Sequence, residues 1–540
     1  MATSRKCITC LLIIGLLASP MFASLNAVAA QPSAAEAALL SQLDGNNAYS
    51  LERALENVTK AYPAYRSSGS AGCNASAVWI LQQMQAMGLS AHSEAYSFPS
   101  WDLRSRPTLS VAPDGVLDNA STFALPSFNC EQWSGPTQVN GTVGKLVTLP
   151  LPAAASDSEL AQLTINRTAW NAINITGKVL VIGSEVNWIT DGDKELDAKV
   201  NAQRPLAIIQ AFYYDWNAYY DEAFVASARG RTVPYLHNLS MPCGMLNYTD
   251  GQKLFACIDG TAVAALRIDS FTWQGVHQNI VGIIPGSENQ GRQVLITAHY
   301  DSVMDNGFCD NGAGVAGMLE IARVLSAAHQ QGKFAPRQSI VFIAFAGEEL
   351  GLIGSLQYVS AHQTELSKMD AIINLDCLGN RNLTVTPTRN VSGVDIRPIL
   401  MNASADLGVR LSDNEPGGSD QESFIDPVKV KDMFASFWDV PVNITPGLNN
   451  SNAVLLLSYP IWNMGQGNES GWIHTLKDAQ STTGWVNESR LQEQMAVTTL
   501  AVLRVTTPTA TAQADMTPFI AIVAAIIVVM AILLVYRRKR

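Results

Sequence analysis

Three short, largely apolar runs, each leading into a residue type that binds metals, constrain this chain more than any other feature. Val294–Ala298 leads into His299, Ile340–Ala346 into Gly347, Glu348 and Glu349, and Ile372–Leu375 into Asp376. Such continuous apolar runs, unlike alternating ones, read as strands buried on both faces, and those belong to parallel sheets flanked by helices. Gly314–Ala328 has helical spacing, with Val315, Met318, Leu319, Ala322 and Leu325 on one face, and Leu352–Ala361 reads as a second connecting helix. The expected fold class is α/β: an open, mostly parallel sheet with helices on both faces. Sites in such sheets assemble at the carboxyl ends of the strands. Buried alone, a polar group placed there would be costly.

Two other segments supply what these strand ends lack. Cys309-Asp310-Asn311-Gly312-Ala313-Gly314 contributes Asp310, and Trp472-Ile473-His474-Thr475 contributes His474. A site for two divalent metals needs nitrogen and oxygen ligands, a carboxylate between the ions and a general base beside their shared water. His299, Asp310, Glu348, Glu349, Asp376 and His474 supply each part once.

Both ends of the chain read as membrane addresses. Residues 1–30 carry Arg5 and Lys6, an apolar run at Leu11–Leu17 and small residues at Ala27–Ala30, the pattern of a signal peptide cleaved before Gln31. Residues 518–536 form an apolar stretch long enough for a transmembrane helix, 506–517 a stalk, and 537–540 a basic cytoplasmic tail. The expectation is a single-pass membrane protein whose main body is extracytoplasmic. Asn-x-Ser/Thr sequons spread from Asn57 to Asn487 suggest a glycosylated surface. A formal charge of −11 and no basic block in the body argue against nucleic acid as a partner.

Six cysteines follow the signal segment, and an oxidising compartment permits three disulfides among them. Cys243 with Cys257 would close a short loop, worth about 3 kcal/mol. Cys309 and Cys377 each adjoin a candidate metal carboxylate, so convergence of Asp310 and Asp376 would bring these sulfurs together as well; free buried thiols are the alternative. Between residues 128 and 270 the texture changes to short strands (Lys178–Gly183, Leu206–Phe212, Ala262–Ile268) separated by polar loops, as in a smaller β-rich or α+β insert. Upstream, Ala75–Met87 reads as a helix with Ala77, Ile80, Met84 and Met87 on one core-facing side, followed by a strand at His92–Phe98.

His-Tyr-Asp-Ser-Val (299–303), Asp-Asn-Gly-Ala-Gly (310–314), Glu-Glu-Leu-Gly-Leu-Ile-Gly-Ser (348–355) and Asn-Leu-Asp-Cys-Leu-Gly (374–379) together resemble the M28 metallopeptidases. These are the co-catalytic zinc aminopeptidases and their glutamate-carboxypeptidase relatives. The likeness covers 278–380, 417–424 and 472–478, with a weaker echo at Tyr65–Ser70, and 128–270 resembles the protease-associated domain inserted in such enzymes. It implies two Zn²⁺ with Asp310 bridging them, His299 and Asp376 completing one site, Glu349 and His474 the other. Glu348 would be the general base, and Asp301 would orient His299. It also implies a cis peptide after Asp310 and peptide substrates. The domain layout is then 31–127 and 271–505 for the catalytic domain, with 128–270 inserted. Where the family has histidine after Ser-Asp, this chain has Gln421, and Ile473 replaces the tyrosine before the last histidine, which puts substrate contacts in question. The leading expectation is a di-zinc aminopeptidase. A carboxypeptidase using Arg381, Arg389, Arg397 or Arg410 and a noncatalytic peptidase-like receptor are the alternatives.

Overall fold

The computed structural model describes residues 31–507, apart from 119, 155, 215–240, 289, 389–390, 392–393, 414–417, 436–441, 459–472 and 483. The first sheet has eight strands, in the order Ser90–Leu103, Ser270–Ile284, Ser339–Phe345, Gln293–His299, Met369–Asp376, Ala453–Leu457, Leu383–Val385 and Leu411–Asp413. The four from Ser339–Phe345 to Ala453–Leu457 are mutually parallel. Antiparallel pairings flank them on both sides. The expected parallel sheet is therefore a parallel centre with antiparallel borders.

Side chains alternate across that centre. Ile296, Phe342 and Ile373 face one apolar core, while Leu295, Ile343 and Ile372 face another. Helices Gly45–Thr59, Ala71–Ala86, Gly314–Gln330 and Glu488–Thr506 cover the first face. Ile353–Ala361 lies on the second. Each buried Leu, Ile or Phe contributes about 1.5–3 kcal/mol to this packing. Ala71–Ala86 begins where the Ser70 side chain accepts the Cys73 N–H, and Ala77, Ile80 and Met84 are its buried stripe. The chain leaves it through Gly88 at φ +79, a backbone region that suits glycine. Because successive crossovers put Gly314–Gln330 and Ile353–Ala361 on opposite faces, the strands between them open a crevice at their carboxyl ends.

The second sheet also has eight strands, drawn from Thr108 to Arg267, so it begins upstream of residue 128. Its middle strands Thr142–Thr148, Val179–Gly183, Ala207–Ala211 and Cys243–Met245 are parallel. One of its faces, with Val181 and Ile209, joins the second core of the first sheet. Its other face, with Leu180, Ile182 and Ile208, packs separately around Trp170, Leu196 and Val200. The strand pair Ser90–Leu103 and Ser270–Ile284, matched over their shared length, leads from one sheet to the other.

Two expectations are corrected here. All six cysteines are free thiols. Cys243 lies in the core on one face of the second sheet, while Cys257 packs against the core on the opposite face, so the sheet separates them despite their closeness in sequence. Single-pass membrane placement, and the extracytoplasmic position inferred from it, are also overturned: among the described residues no helix is long and apolar enough to cross a membrane. The last described helix, Glu488–Thr506, has the length but carries Glu488, Arg490, Glu493 and Arg504, and buries Leu491, Met495 and Leu500 in the first core. Residues 1–30, 518–536 and 537–540 lie outside the described residues, as does the stalk beyond 507. Three sequon asparagines, Asn166, Asn247 and Asn487, serve as helix N-caps.

Candidate metal centre

At the carboxyl ends of the parallel strands, His299 closes its strand with its side chain buried, and Nε2 lies 3.2 Å from Asp310 Oδ1 and 3.5 Å from Asp376 Oδ1. Asp310 sits in the Phe308–Ala313 loop, followed by a cis peptide to Asn311. Its second oxygen, Oδ2, is 3.2 Å from His474 Nε2, which is itself 3.2 Å from Glu349 Oε2. One carboxylate therefore faces two imidazoles, one on each oxygen. Ligand atoms of His299, Asp310 and Glu349 lie within 4.8 Å of one another, and so do those of Asp310, Asp376 and Cys377. Glu348 and Glu349 are buried in the turn after Phe345, which Gly347 makes possible at φ +81. His474 alone keeps a sizeable exposed surface, 35% of its side chain.

A layer of hydrogen bonds holds this group in place. Asp301 receives the Glu348 and Glu349 N–H groups at 3.2 Å each and the Ser68 hydroxyl. Its Oδ1 also lies 3.6 Å from His299 Nδ1, so it can fix the imidazole orientation. Thr297 donates to Asn374 Oδ1, Asn374 Nδ2 donates to Ser419, and Ser419 donates to Asp376 Oδ2 at 2.8 Å. Asp478 receives the N–H groups of Cys309 and Asp310 and the Trp485 indole N–H. The Asn311 amide spans Leu375 O, Gly314 N and Cys377 N. A Cβ on Gly314 would come within 2.1 Å of Asn311 Oδ1, so that position has no room for a side chain. Buried Arg66 donates to the carbonyls of Tyr300, Asn306, Gly307 and Asp310.

The electrostatics match a cation site. Burial by itself would depress His299, but the Asp376, Asp301 and Asp310 carboxylates outweigh it and hold the imidazole well above the usual histidine range. Against the upward pull of burial, the two histidines hold Asp310 well below the ordinary carboxylate value. Burial pushes Asp420 and Asp478 up to about 7. Glu349 Oε1 and Asp376 Oδ1 are buried with no hydrogen-bond partner in the protein. A carboxylate oxygen left so is costly, and a divalent cation supplies the missing partner. Two imidazole nitrogens with three carboxylates form a donor set that suits zinc.

All six residues singled out from the sequence are in this cluster or next to it. Asp478 and Asn311 were missed, although Asp478 ends the last matching stretch and Asn311 follows Asp310 directly. Ser68 lies within the Tyr65–Ser70 echo, where the sequence alone suggested no role. Gln421 is fully buried beside Asp420, and Ile473 packs against the first core. Arg397 is engaged by Asp413, and Arg389 lies outside the described residues.

An α/β sheet carrying such a cluster at its strand ends is an arrangement suited to holding divalent metal. Residues 279–499 match the family model described as Peptidase family M28. The chain is 37% identical over 180 residues to Aminopeptidase YwaD of Bacillus subtilis, an alignment covering 30% of this chain and 37% of that one. It is also 37% identical over 108 residues to Aminopeptidase NAALADL1 of Mus musculus, covering 20% of this chain and 14% of the mouse protein. The chain thus spans well under two thirds of the curated relatives it matches. In fold it resembles BSAP, a zinc aminopeptidase from Bacillus subtilis, with TM-score 0.58 and 21% identity over 87% of this chain and 97% of that one. A peptidase M28 precursor from Shewanella amazonensis gives TM-score 0.59 and 18% identity, covering 88% and 96%.

Proposed function

We propose that the protein is a zinc exopeptidase that removes N-terminal residues from peptides, using two ions. Asp310 would be the carboxylate shared between the ions, with His299 and Asp376 holding one and Glu349 and His474 the other. The observation that carries this reading is the placement of Asp310, whose two oxygens each lie 3.2 Å from a different imidazole. Zinc, when bound, supplies Lewis acidity that makes a water nucleophilic at neutral pH and offsets charge on the carbonyl oxygen.

The chain's own residues do the rest. Glu348 takes the water proton and returns it to the leaving amine. Asp301 keeps His299 Nε2 turned inward and pins the backbone that presents Glu348 and Glu349. Ser419 holds one oxygen of Asp376 and leaves the other facing His299. Asp478 fixes the loop that carries Asp310. The region between 128 and 270 is proposed to be a protease-associated-like insert beside this centre.

The test is a mixed peptide pool incubated with the protein and with a Glu348→Gln control, products read by mass spectrometry. Stepwise loss from free N-termini, absent in the control, supports the aminopeptidase. Trimming from C-termini would make it a carboxypeptidase on the same site. No cleavage by zinc-loaded protein would reject the enzyme reading.

A further inference from the structure

Resting on that metal site, we infer that Cys377 supplies a thiolate ligand to the cation held between Asp310 and Asp376. Cys377 Sγ and the Asp310 and Asp376 carboxylates offer ligand atoms within 4.8 Å of one another, as donors to a single ion do. Its backbone is unusual for a non-glycine residue: φ is +51, immediately after Asp376. That turn is held by the Cys377 N–H donating to Asn311 Oδ1 at 3.2 Å. The same Asn311 anchors the loop behind Asp310 to Leu375 O at 2.8 Å. Asp376 Oδ1 is buried without a hydrogen-bond partner, 3.5 Å from His299 Nε2.

Cys309 provides the contrast. It is equally buried and in contact with Cys377. Its own sulfur lies near Leu378 O, at 4.0 Å, and it belongs to neither candidate ligand group. It backs the ligand rather than being one. On binding, the Cys377 S–H bond breaks, a sulfur–metal bond forms and one proton leaves to solvent. A thiolate among carboxylates shifts preference toward zinc, cadmium and cobalt and away from magnesium and manganese.

The experiment is to load the full chain with Co²⁺ in place of zinc and record its absorption spectrum. The expected result is a sulfur-to-cobalt charge-transfer band in the near ultraviolet alongside the visible cobalt bands. Cys377→Ser loses the charge-transfer band and keeps the visible ones, while Cys309→Ser keeps both. Visible bands without charge transfer in the wild-type protein would overturn the inference and leave the two-ion reading standing. A charge-transfer band that survives Cys377→Ser and disappears in Cys309→Ser would overturn it too. Absence of every cobalt band would remove the metal centre and the inference with it. If Cys377→Ser fails to fold, Cys309→Ser decides: a charge-transfer band kept there supports the inference and a band lost there overturns it.

Discussion

The two sheets are built by similar rules and differ in the residues that come directly after their strands. In the first, Gln293–His299 and Met369–Asp376 end in ligand types, and Ser339–Phe345 runs into Glu348 and Glu349. In the second, Val179–Gly183 and Ala207–Ala211 are just as buried and just as parallel. They end at Gly183 and Ala211, followed by Ser184 and Phe212, and among the described residues no metal-binding group forms there. Burial on both faces makes the sheet. Chemistry needs polar side chains where the backbone leaves the sheet, and a cation to balance them.

The largest effect that would break this contrast comes from Asp310→Ala. It removes the carboxylate shared by both imidazoles, so zinc measured by elemental analysis should fall to background and peptide cleavage with it. Retention of both ions would refute the bridging role. Glu348→Gln should lower kcat by roughly 10²–10⁴-fold while zinc content stays unchanged. Loss of zinc in that variant would instead make Glu348 a ligand.

Ser68→Ala removes one partner of Asp301, and a second-layer change of this kind should weaken zinc retention by about 10–100-fold. Competition with a chelator measures it. In the second sheet, Ile208→Ala should cost about 2–5 kcal/mol in denaturant unfolding, because Ile208 is fully buried. Zinc affinity should not move; if it does, the two sheets are not independent in function.

The smallest effect lies at the edge of the first sheet, where His362 Nε2 is 3.0 Å from Glu94. The hydrogen bond that His362 donates to the Glu94 carboxylate raises the His362 pKa. Burial would raise Glu94, but His362 outweighs it and lowers the carboxyl. Stability from a raised histidine is complete below its unfolded value of about 6.5 and is lost as pH climbs through the folded value. Stability from a lowered carboxyl is present above about 4.3 and is lost as pH falls through its folded value. His362→Gln should therefore lower the melting temperature most in mildly acidic solution and least at alkaline pH. The cost should stay under about 1 kcal/mol, since solvent screens the pair. A pH-independent difference would exclude the charged interaction.

Much of the centre was legible because strand burial and ligand chemistry sit side by side along the chain. His299, Glu348, Glu349 and Asp376 each follow an apolar run, two further short segments supply Asp310 and His474, and the resemblance added a role for each. The two long strands were read too short, as His92–Phe98 and Asn279–Ile284. In Ser270–Ile284 the outer half is largely outside the core. In Ser90–Leu103, Pro99, Ser100 and Asp102 interrupt the apolar pattern, although Ser100–Leu103 are buried and the pairing continues from Ser90 to Leu103. The cysteine pairing failed for a related reason. Fourteen positions of separation from Cys243 to Cys257 say nothing about which face of a sheet each sulfur takes.

By itself, then, the amino-acid order determined the class of fold and the identity of the candidate ligands, since both depend on local pattern: apolar length, helical spacing and residue type. Tertiary structure alone decided that Asp310 reaches both imidazoles, that Asp301 serves His299, Glu348 and Glu349 at once, and that Cys377 rather than Cys309 turns toward the carboxylates. Those outcomes depend on distances between residues far apart in the chain, which strand order and crossover direction set and no local window contains.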